Sequence, residues 1–84
     1  MDEAEIRRRN DARRYVASGA ARMARKRLGC TLAELASALC VGKSTLSDWE
    51  CGRVRIPAQG ALDYCEMLKR LERGVETSGV GFPD

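Results

Sequence analysis

The side chains best suited to chemistry in this 84-residue chain are four cysteines, because the sequence contains no histidine. Cys30, Cys40, Cys51 and Cys65 are separated by nine, ten and thirteen residues, so no pair has the short spacing of a zinc site. Cysteines of cytosolic proteins are commonly small buried hydrophobes. We predict no metal site and no cofactor. A redox or metal sensor remains an alternative, with Cys51 beside a helix end as the thiol most open to oxidation.

Catalytic groupings are also missing. The sequence has no glycine-rich phosphate loop and no nucleophile beside a plausible base. A chain of this length forms one small domain, which leaves too little material to enclose a deep substrate pocket. We therefore predict that the protein is not an enzyme.

No apolar run approaches the roughly 20 residues that span a bilayer. The N-terminus also has no hydrophobic signal segment. These features predict a cytoplasmic protein without a membrane partner.

Positive charge is concentrated in the first third of the chain. Residues 1–29 contain nine Lys or Arg against four Asp or Glu, whereas residues 30–84 contain six against eight. Such an imbalance suggests attraction to a polyanion. The alternative is that the arginines form the solvated face of a helix.

The clearest structural pattern lies between residues 31 and 52. Apolar residues recur at helical spacing over residues 32–39, and the stripe resumes at Leu46 and Trp49. Residues 40–42 suit a turn. Two short helices joined this way are the arrangement that places a helix in the major groove of DNA.

Periodicity predicts helices in the remainder as well. We expect helices over residues 3–17 and 20–28, separated by Ser18 and Gly19, and a last helix from Pro57 or Ala58 to about Arg73. Strand signals are absent. The sequence thus predicts an all-α bundle of about five helices. Its parts are a basic helical extension (1–19), a helix-turn-helix domain (20–73) and a flexible tail (74–84) unless Val80 and Phe82 dock back.

Helix boundaries have local signals. Thr31 followed three residues later by Glu34 is typical of a capping box, which predicts a helix start at Leu32. Gly74 predicts the end of the last helix.

From about residue 20 to residue 71 the chain resembles the Cro and C1 repressor-type helix-turn-helix family, also called the Xre family. The resemblance depends on LGCTLAELA at residues 28–36, VGKSTLSDWECG at residues 41–52, and Pro57. It implies a lambda-repressor-like bundle that binds DNA. Three positions depart from the family pattern: Leu32 replaces a glutamine, Cys40 a turn glycine, and Gly42 a serine or threonine cap.

The resemblance implies that residues 43–50 form the recognition helix, whose N-terminal side chains meet base edges. A lysine can donate to guanine, hydroxyls can donate or accept, and a threonine can contact a thymine methyl group. Asp48 either accepts from cytosine N4 or acts locally, and we favour the local role. The candidate base-reading residues are Lys43, Ser44, Thr45, Ser47 and Asp48.

The resemblance also implies phosphate contacts from Arg53, from Arg55 and from the helix N-terminus at Thr31. Alternatively, the two arginines belong to an ordinary polar loop. The family pattern further pairs an arginine with the glutamate that ends the recognition helix, which are Arg25 and Glu50 here. A guanidinium can satisfy a buried carboxylate with two charge-assisted hydrogen bonds, so we predict a structural ion pair.

We therefore predict a sequence-specific transcriptional regulator of double-stranded DNA, a repressor that binds a palindromic operator as a homodimer. The dimer interface lies either in residues 3–16 or in the last helix and tail, around Leu68, Leu71 and Phe82. The alternative is an antitoxin or protein-interaction module of the same fold. Its arginine-rich N-terminal helix would fold on contact with a protein partner.

Overall fold

Five helices form the architecture, as a computed structural model shows for the backbone of residues 1–81 and the side chains of residues 1–74. The helices are α1 (Glu3–Ala17), α2 (Ala20–Arg27), α3 (Leu32–Leu39), α4 (Lys43–Glu50) and α5 (Ala58–Gly81). The described part contains no strand. The predicted all-α bundle is confirmed, and all five helix starts and the first four helix ends agree with prediction to within one residue.

Left-handed residues follow each of the first four helices, with Gly19 (φ 93°) after α1. Gly29 (φ 76°) follows α2, Cys40 (φ 59°) follows α3 and Gly52 (φ 73°) follows α4. Cys40 thus takes the conformation expected of the glycine that it replaces, at a cost of about 1–2 kcal/mol for a residue with a Cβ atom. This conformation lets the Val41 amide donate to the Ala36 carbonyl oxygen at 3.0 Å, which closes the turn between α3 and α4.

The start of α3 carries the predicted capping box. The Thr31 hydroxyl accepts from the Glu34 amide at 3.1 Å, and the Thr31 amide donates to Glu34 Oε1 at 2.9 Å. The hydrogen bond from the Thr31 amide is the main cause that lowers the pKa of the Glu34 carboxyl group. The N-terminus of α3 therefore already has a carboxylate beside it.

A single core lies between the helices, and its largest fully buried side chains are Val16, Leu35, Leu46 and Tyr64. Val16 belongs to α1, which also buries Ala12 in this core. The N-terminal helix is therefore folded against α2, α4 and α5 rather than left as a segment that awaits a partner.

The last helix is longer than predicted. It passes through Gly74 and ends at Gly81, whereas the sequence predicted an end near Arg73. Gly74 does not adopt the left-handed conformation that would stop a helix, and a glycine inside a helix costs only about 1 kcal/mol relative to alanine. Docking of Val80 and Phe82 lies outside the described side chains, as residues 82–84 lie outside the described backbone.

The four cysteines are free thiols. Cys30 and Cys65 are half-buried, and burial raises the pKa of both thiols, whereas Cys40 and Cys51 are exposed. Among the described residues, no group of three or more His, Cys, Asp or Glu side chains is placed to bind a metal ion. No helix in that part of the chain is long and apolar enough to cross a membrane.

Candidate nucleic-acid interface

One face of α4 is fixed in the core. Leu46 is fully buried and Trp49 retains 8% of its surface. The Trp49 ring packs against Gly60 of α5, where an added Cβ atom would lie 3.3 Å from the ring. A side chain at position 60 would require the Trp49 ring to shift by a few tenths of an ångström, so glycine leaves room for the ring.

A buried polar cluster fixes the C-terminal end of α4. Arg25 Nε lies 2.9 Å from Glu50 Oε2, and Arg25 Nη2 lies 3.1 Å from Glu50 Oε1. The third guanidinium nitrogen, Nη1, donates to the Cys30 carbonyl oxygen at 2.9 Å. Tyr64 completes the cluster by donating its hydroxyl hydrogen to Glu50 Oε2. We call Arg25, Glu50 and Tyr64 the buried triad.

The triad is electrostatically consistent. The Glu50 carboxylate raises the pKa of Arg25 mainly by hydrogen bonding. Burial, followed by the hydrogen bond to Glu50, raises the pKa of Tyr64 well above its ordinary value of 10.0. No buried side-chain nitrogen or oxygen of the described residues lacks a hydrogen-bond partner. The triad thus ties α4 to α2 and α5 without leaving an unpaired charge.

Tyr64 was missed as a member of this cluster. Apolar periodicity predicts Ala61, Leu62, Cys65 and Leu68 on the buried face of the last helix, but Leu62 and Cys65 are only half-buried. Ala61, Tyr64 and Leu68 are the buried residues, and their spacing of three and four is itself a helical stripe. That stripe, combined with a hydroxyl that needs a partner when buried, was the available signal.

The opposite face of α4 is polar and accessible. Lys43, Ser44 and Thr45 are exposed, and Ser47 is half-buried. Within the described residues these four side chains make no hydrogen bond or ion pair, so their donors and acceptors are available to a ligand. Gly42 precedes them as a cap without a side-chain hydrogen bond. The N-terminal amides of α4 are therefore also uncapped.

Asp48 is engaged locally. Its Oδ1 atom lies 3.4 Å from Arg53 Nη1, and 35% of its side-chain surface remains exposed. Its backbone carbonyl accepts from the Arg53 amide at 2.9 Å. The side-chain pair therefore reinforces the end of α4, in the local role favoured over base contact.

The loop after α4 presents the predicted arginines to solvent. The Gly52 amide donates to Trp49 and the Arg53 amide to Asp48, a Schellman arrangement that turns the chain sharply. Arg53 and Arg55 are both exposed. Arg13 of α1 supports the loop from the other side by donating its Nε hydrogen to the Ile56 carbonyl oxygen at 3.1 Å.

Thr31 is also exposed, but its surroundings differ from expectation. Its amide and its hydroxyl oxygen are both used by Glu34 in the capping box. The hydroxyl also lowers the pKa of the Glu34 carboxyl group by hydrogen bonding, so its hydrogen is shared with a carboxylate that disfavours an anion. Thr31 thus offers less to a phosphate than Arg53 or Arg55 does.

A family model described as helix-turn-helix matches residues 22–63, half of the chain. The chain belongs to the Cro/C1-type helix-turn-helix family. As a member of that family it is a DNA-binding regulator of the helix-turn-helix type, a class that is generally not enzymatic. No curated protein and no solved structure matches the chain. The matched segment of this helix-turn-helix protein excludes α1 and ends one residue before Tyr64. The contact of Arg13 with Ile56 and the contact of Tyr64 with Glu50 therefore each involve a residue outside that segment.

Proposed function

We propose that this helix-turn-helix protein is a cytoplasmic, sequence-specific repressor that inserts α4 into the major groove of an operator. The observation that carries the proposal is the division of α4 into two faces. Its inner face is buried at Leu46, Trp49 and Glu50, and its outer face presents Lys43 and Ser44 without intramolecular partners. A rigidly held helix with unsatisfied donors is suited to base recognition, because little is lost in ordering it on binding.

Each polar residue of the outer face has a role in the proposal. Lys43 donates to guanine O6 and N7, Ser44 and Ser47 bond to base edges, and Thr45 contacts a thymine methyl group or a phosphate. Asp48 contributes by holding Arg53 rather than by reading cytosine, because the two side chains are paired.

Phosphate contacts position the helix in this proposal. Arg53 and Arg55 have exposed guanidinium groups directly after α4, where the DNA backbone would pass. Thr31 adds a weaker contact through its hydroxyl hydrogen. These contacts hold the orientation of α4 without contributing sequence preference.

We further propose that the protein binds a palindromic operator as a homodimer. A single short recognition helix contacts only a few base pairs, so two-fold symmetry is the usual route to specificity. Of the two predicted interfaces, the one around Leu68 is disfavoured because Leu68 is buried in its own core. We favour the α1 surface around Tyr15, which remains 41% exposed.

Selection of bound fragments from random duplex DNA tests the proposal. A symmetric consensus is expected, with half-sites about one helical turn apart. On the selected site, Lys43→Ala combined with Ser44→Ala should remove about 1–3 kcal/mol of discrimination for each lost contact. Light scattering of the free protein and of its complex with one half-site gives the stoichiometry.

The matched control is Lys69→Ala, which removes one exposed positive charge from α5 and leaves α4 unchanged. It should leave sequence preference intact. If the double variant kept the sequence preference of the wild type, α4 would not be the recognition helix. Selection without any consensus would overturn sequence-specific regulation itself, and a monomer bound at one half-site would overturn the homodimer.

A further inference from the structure

A basic groove lies beside the proposed DNA-binding surface, and its α1 wall lies outside the segment matched by the family model. It is a cavity of about 390 Å³ between α1 and the loop that follows α4. Asn10, Arg13 and Arg14 line it from α1, and Gly52 and Arg55 line it from the loop. We call it the α1 groove.

The charge of the α1 groove is entirely positive. Three guanidinium groups line it and no carboxylate does. Arg55 makes no hydrogen bond or ion pair with any described residue. Arg13 uses only Nε, for the Ile56 carbonyl oxygen. The side chain of Arg14 is 79% exposed, and its nearest carboxylate, Asp11, lies 4.0 Å away.

Concentrated guanidinium groups in a concave surface favour a phosphate ligand. Each offers several N–H donors in one plane, which match the oxygens of a phosphate group. Like charges that approach each other without a counterion are unfavourable, so an anion seated between them would relieve that repulsion.

The position of the groove indicates which phosphate. The eight-residue helix α4 is about 12 Å long at 1.5 Å per residue, which is close to the roughly 12 Å width of the major groove of B-DNA. When the N-terminal end of α4 contacts bases, the loop at its C-terminal end reaches the sugar-phosphate backbone. Gly52 and Arg55 of that loop form one wall of the α1 groove.

We propose that the α1 groove binds a backbone phosphate of the same duplex that α4 reads, with Arg14 and Arg55 as its main donors. This inference rests on the proposed function and extends it to α1. The N-terminal helix is then part of the DNA-binding surface, and it adds affinity without adding sequence preference.

The salt dependence of DNA affinity tests the proposal with a matched pair of variants. Arg14→Gln removes a groove arginine whose nearest carboxylate is three residues earlier, at Asp11. Arg70→Gln is the control, because Arg70 pairs with Glu66, four residues earlier on α5, and lines a different groove between α3 and α5. Both variants change net charge equally. Affinity is measured on a site selected from random duplexes and on an unrelated duplex of the same length.

Arg14→Gln should reduce the slope of log affinity against log salt by about 0.9 on both duplexes. Its loss of affinity between 50 and 200 mM salt should therefore be about threefold smaller than that of the wild type. Arg70→Gln should leave the slope unchanged. Equal slopes for both variants, whether reduced or not, would overturn the proposal.

Neutral methylphosphonates, placed one at a time along the selected duplex, locate the contact. A methylphosphonate at one position should weaken binding by the wild type. The same methylphosphonate should not weaken binding by Arg14→Gln or by Arg55→Gln. If Arg14→Gln failed to fold, Arg55→Gln would test the same groove from its other wall. No shared position would overturn the proposal.

Two further probes separate the sources of the phosphate. Inorganic phosphate alone should perturb the arginine side-chain NMR signals only at concentrations far above those of the duplex. Arg14→Gln should reduce the affinity for single-stranded RNA of equal length by no more than it reduces the affinity for the duplex. A larger effect would make the groove an RNA site and overturn the proposal, whereas lack of sequence preference in the wild type would count against the proposed function instead.

Discussion

At the scale of single residues, the buried triad decides how α4 is held. Arg25 and Glu50 retain only 5% and 4% of their surface, so their charges have lost most of their hydration. Their attraction compensates for that loss only because the geometry is bidentate and the remaining groups are hydrogen-bonded. Tyr64 matters in this respect because it supplies a further donor to the same carboxylate.

Substitutions within the triad should therefore destabilise the protein to graded extents. Arg25→Ala leaves a buried carboxylate without its counterion and should cost on the order of 3 kcal/mol. Tyr64→Phe removes one hydrogen bond to a charged group and should cost about 2 kcal/mol. Chemical denaturation followed by the fluorescence of the single tryptophan, Trp49, measures both free energies of unfolding.

The control for Tyr64→Phe is Tyr15→Phe, at an exposed tyrosine whose hydroxyl makes no hydrogen bond with the described residues. It should be neutral. The pKa of Tyr64 is higher in the folded state, so the unfolded state loses its proton first as the pH rises above about 10. The free energy of unfolding should therefore fall in that range, more steeply for the wild type than for Tyr64→Phe. If Tyr64→Phe and Tyr15→Phe had equal free energies of unfolding, the Tyr64 hydroxyl would not stabilise the triad.

At the scale of helices, boundaries were predictable where a local signal decides them. The capping box at Thr31 and the left-handed glycines after α2 and α4 act through nearby backbone atoms, so the sequence alone indicates them. Gly74 is also a glycine, but it does not adopt the left-handed conformation. Whether a glycine ends a helix depends on the conformation of the residues that follow it. The sequence periodicity after Gly74 did not indicate that the helix continues.

Long-range packing was less predictable than helix boundaries. Helical spacing in residues 20–28 predicts Met23 on the buried face of α2, yet it is 65% exposed, and Ala21 is fully buried instead. The buried face of this eight-residue helix includes Arg25, a charged residue that apolar periodicity assigns to the solvent side. The contact between Arg13 and Ile56 spans 43 residues and leaves no local pattern. The candidate DNA-facing residues, in contrast, followed from the family resemblance rather than from their own chemistry.

The start of α4 is the weakest helix boundary and offers an element-scale prediction. Gly42 has extended dihedral angles (φ −70°, ψ 148°) that any residue can adopt, and its side-chain position is open apart from Thr45 Oγ1 at 3.5 Å. Gly42→Ser should therefore supply the missing cap and raise the free energy of unfolding by about 0.5 kcal/mol.

Gly42→Ala is the matched variant, because it adds the same Cβ atom without an acceptor for the α4 amides. Thermal unfolding should give a midpoint several degrees higher for serine than for alanine, corresponding to about 1 kcal/mol between the two caps. Equal midpoints would mean that the amides at the start of α4 gain nothing from a cap.

At the scale of the whole molecule, α1 packs into the same core as the other helices. It buries Val16 completely and Ala12 almost completely, and Arg13 supports the loop after α4. A chain of 84 residues has little apolar surface to spare. The apolar surface that α1 buries therefore contributes a large share of the stability of residues 22–63, the segment that the family model matches.

Removal of residues 1–17 should consequently abolish cooperative unfolding, although the matched segment 22–63 stays intact. Val16→Ala is the graded version and should cost about 2 kcal/mol through lost burial and an internal cavity. Val54→Ala is its control, since Val54 is 50% exposed and should tolerate the change. Circular dichroism during heating measures all three. If residues 18–84 alone melt as sharply and as high as the full chain, α1 contributes only charge, and the helix-turn-helix segment with α5 folds on its own.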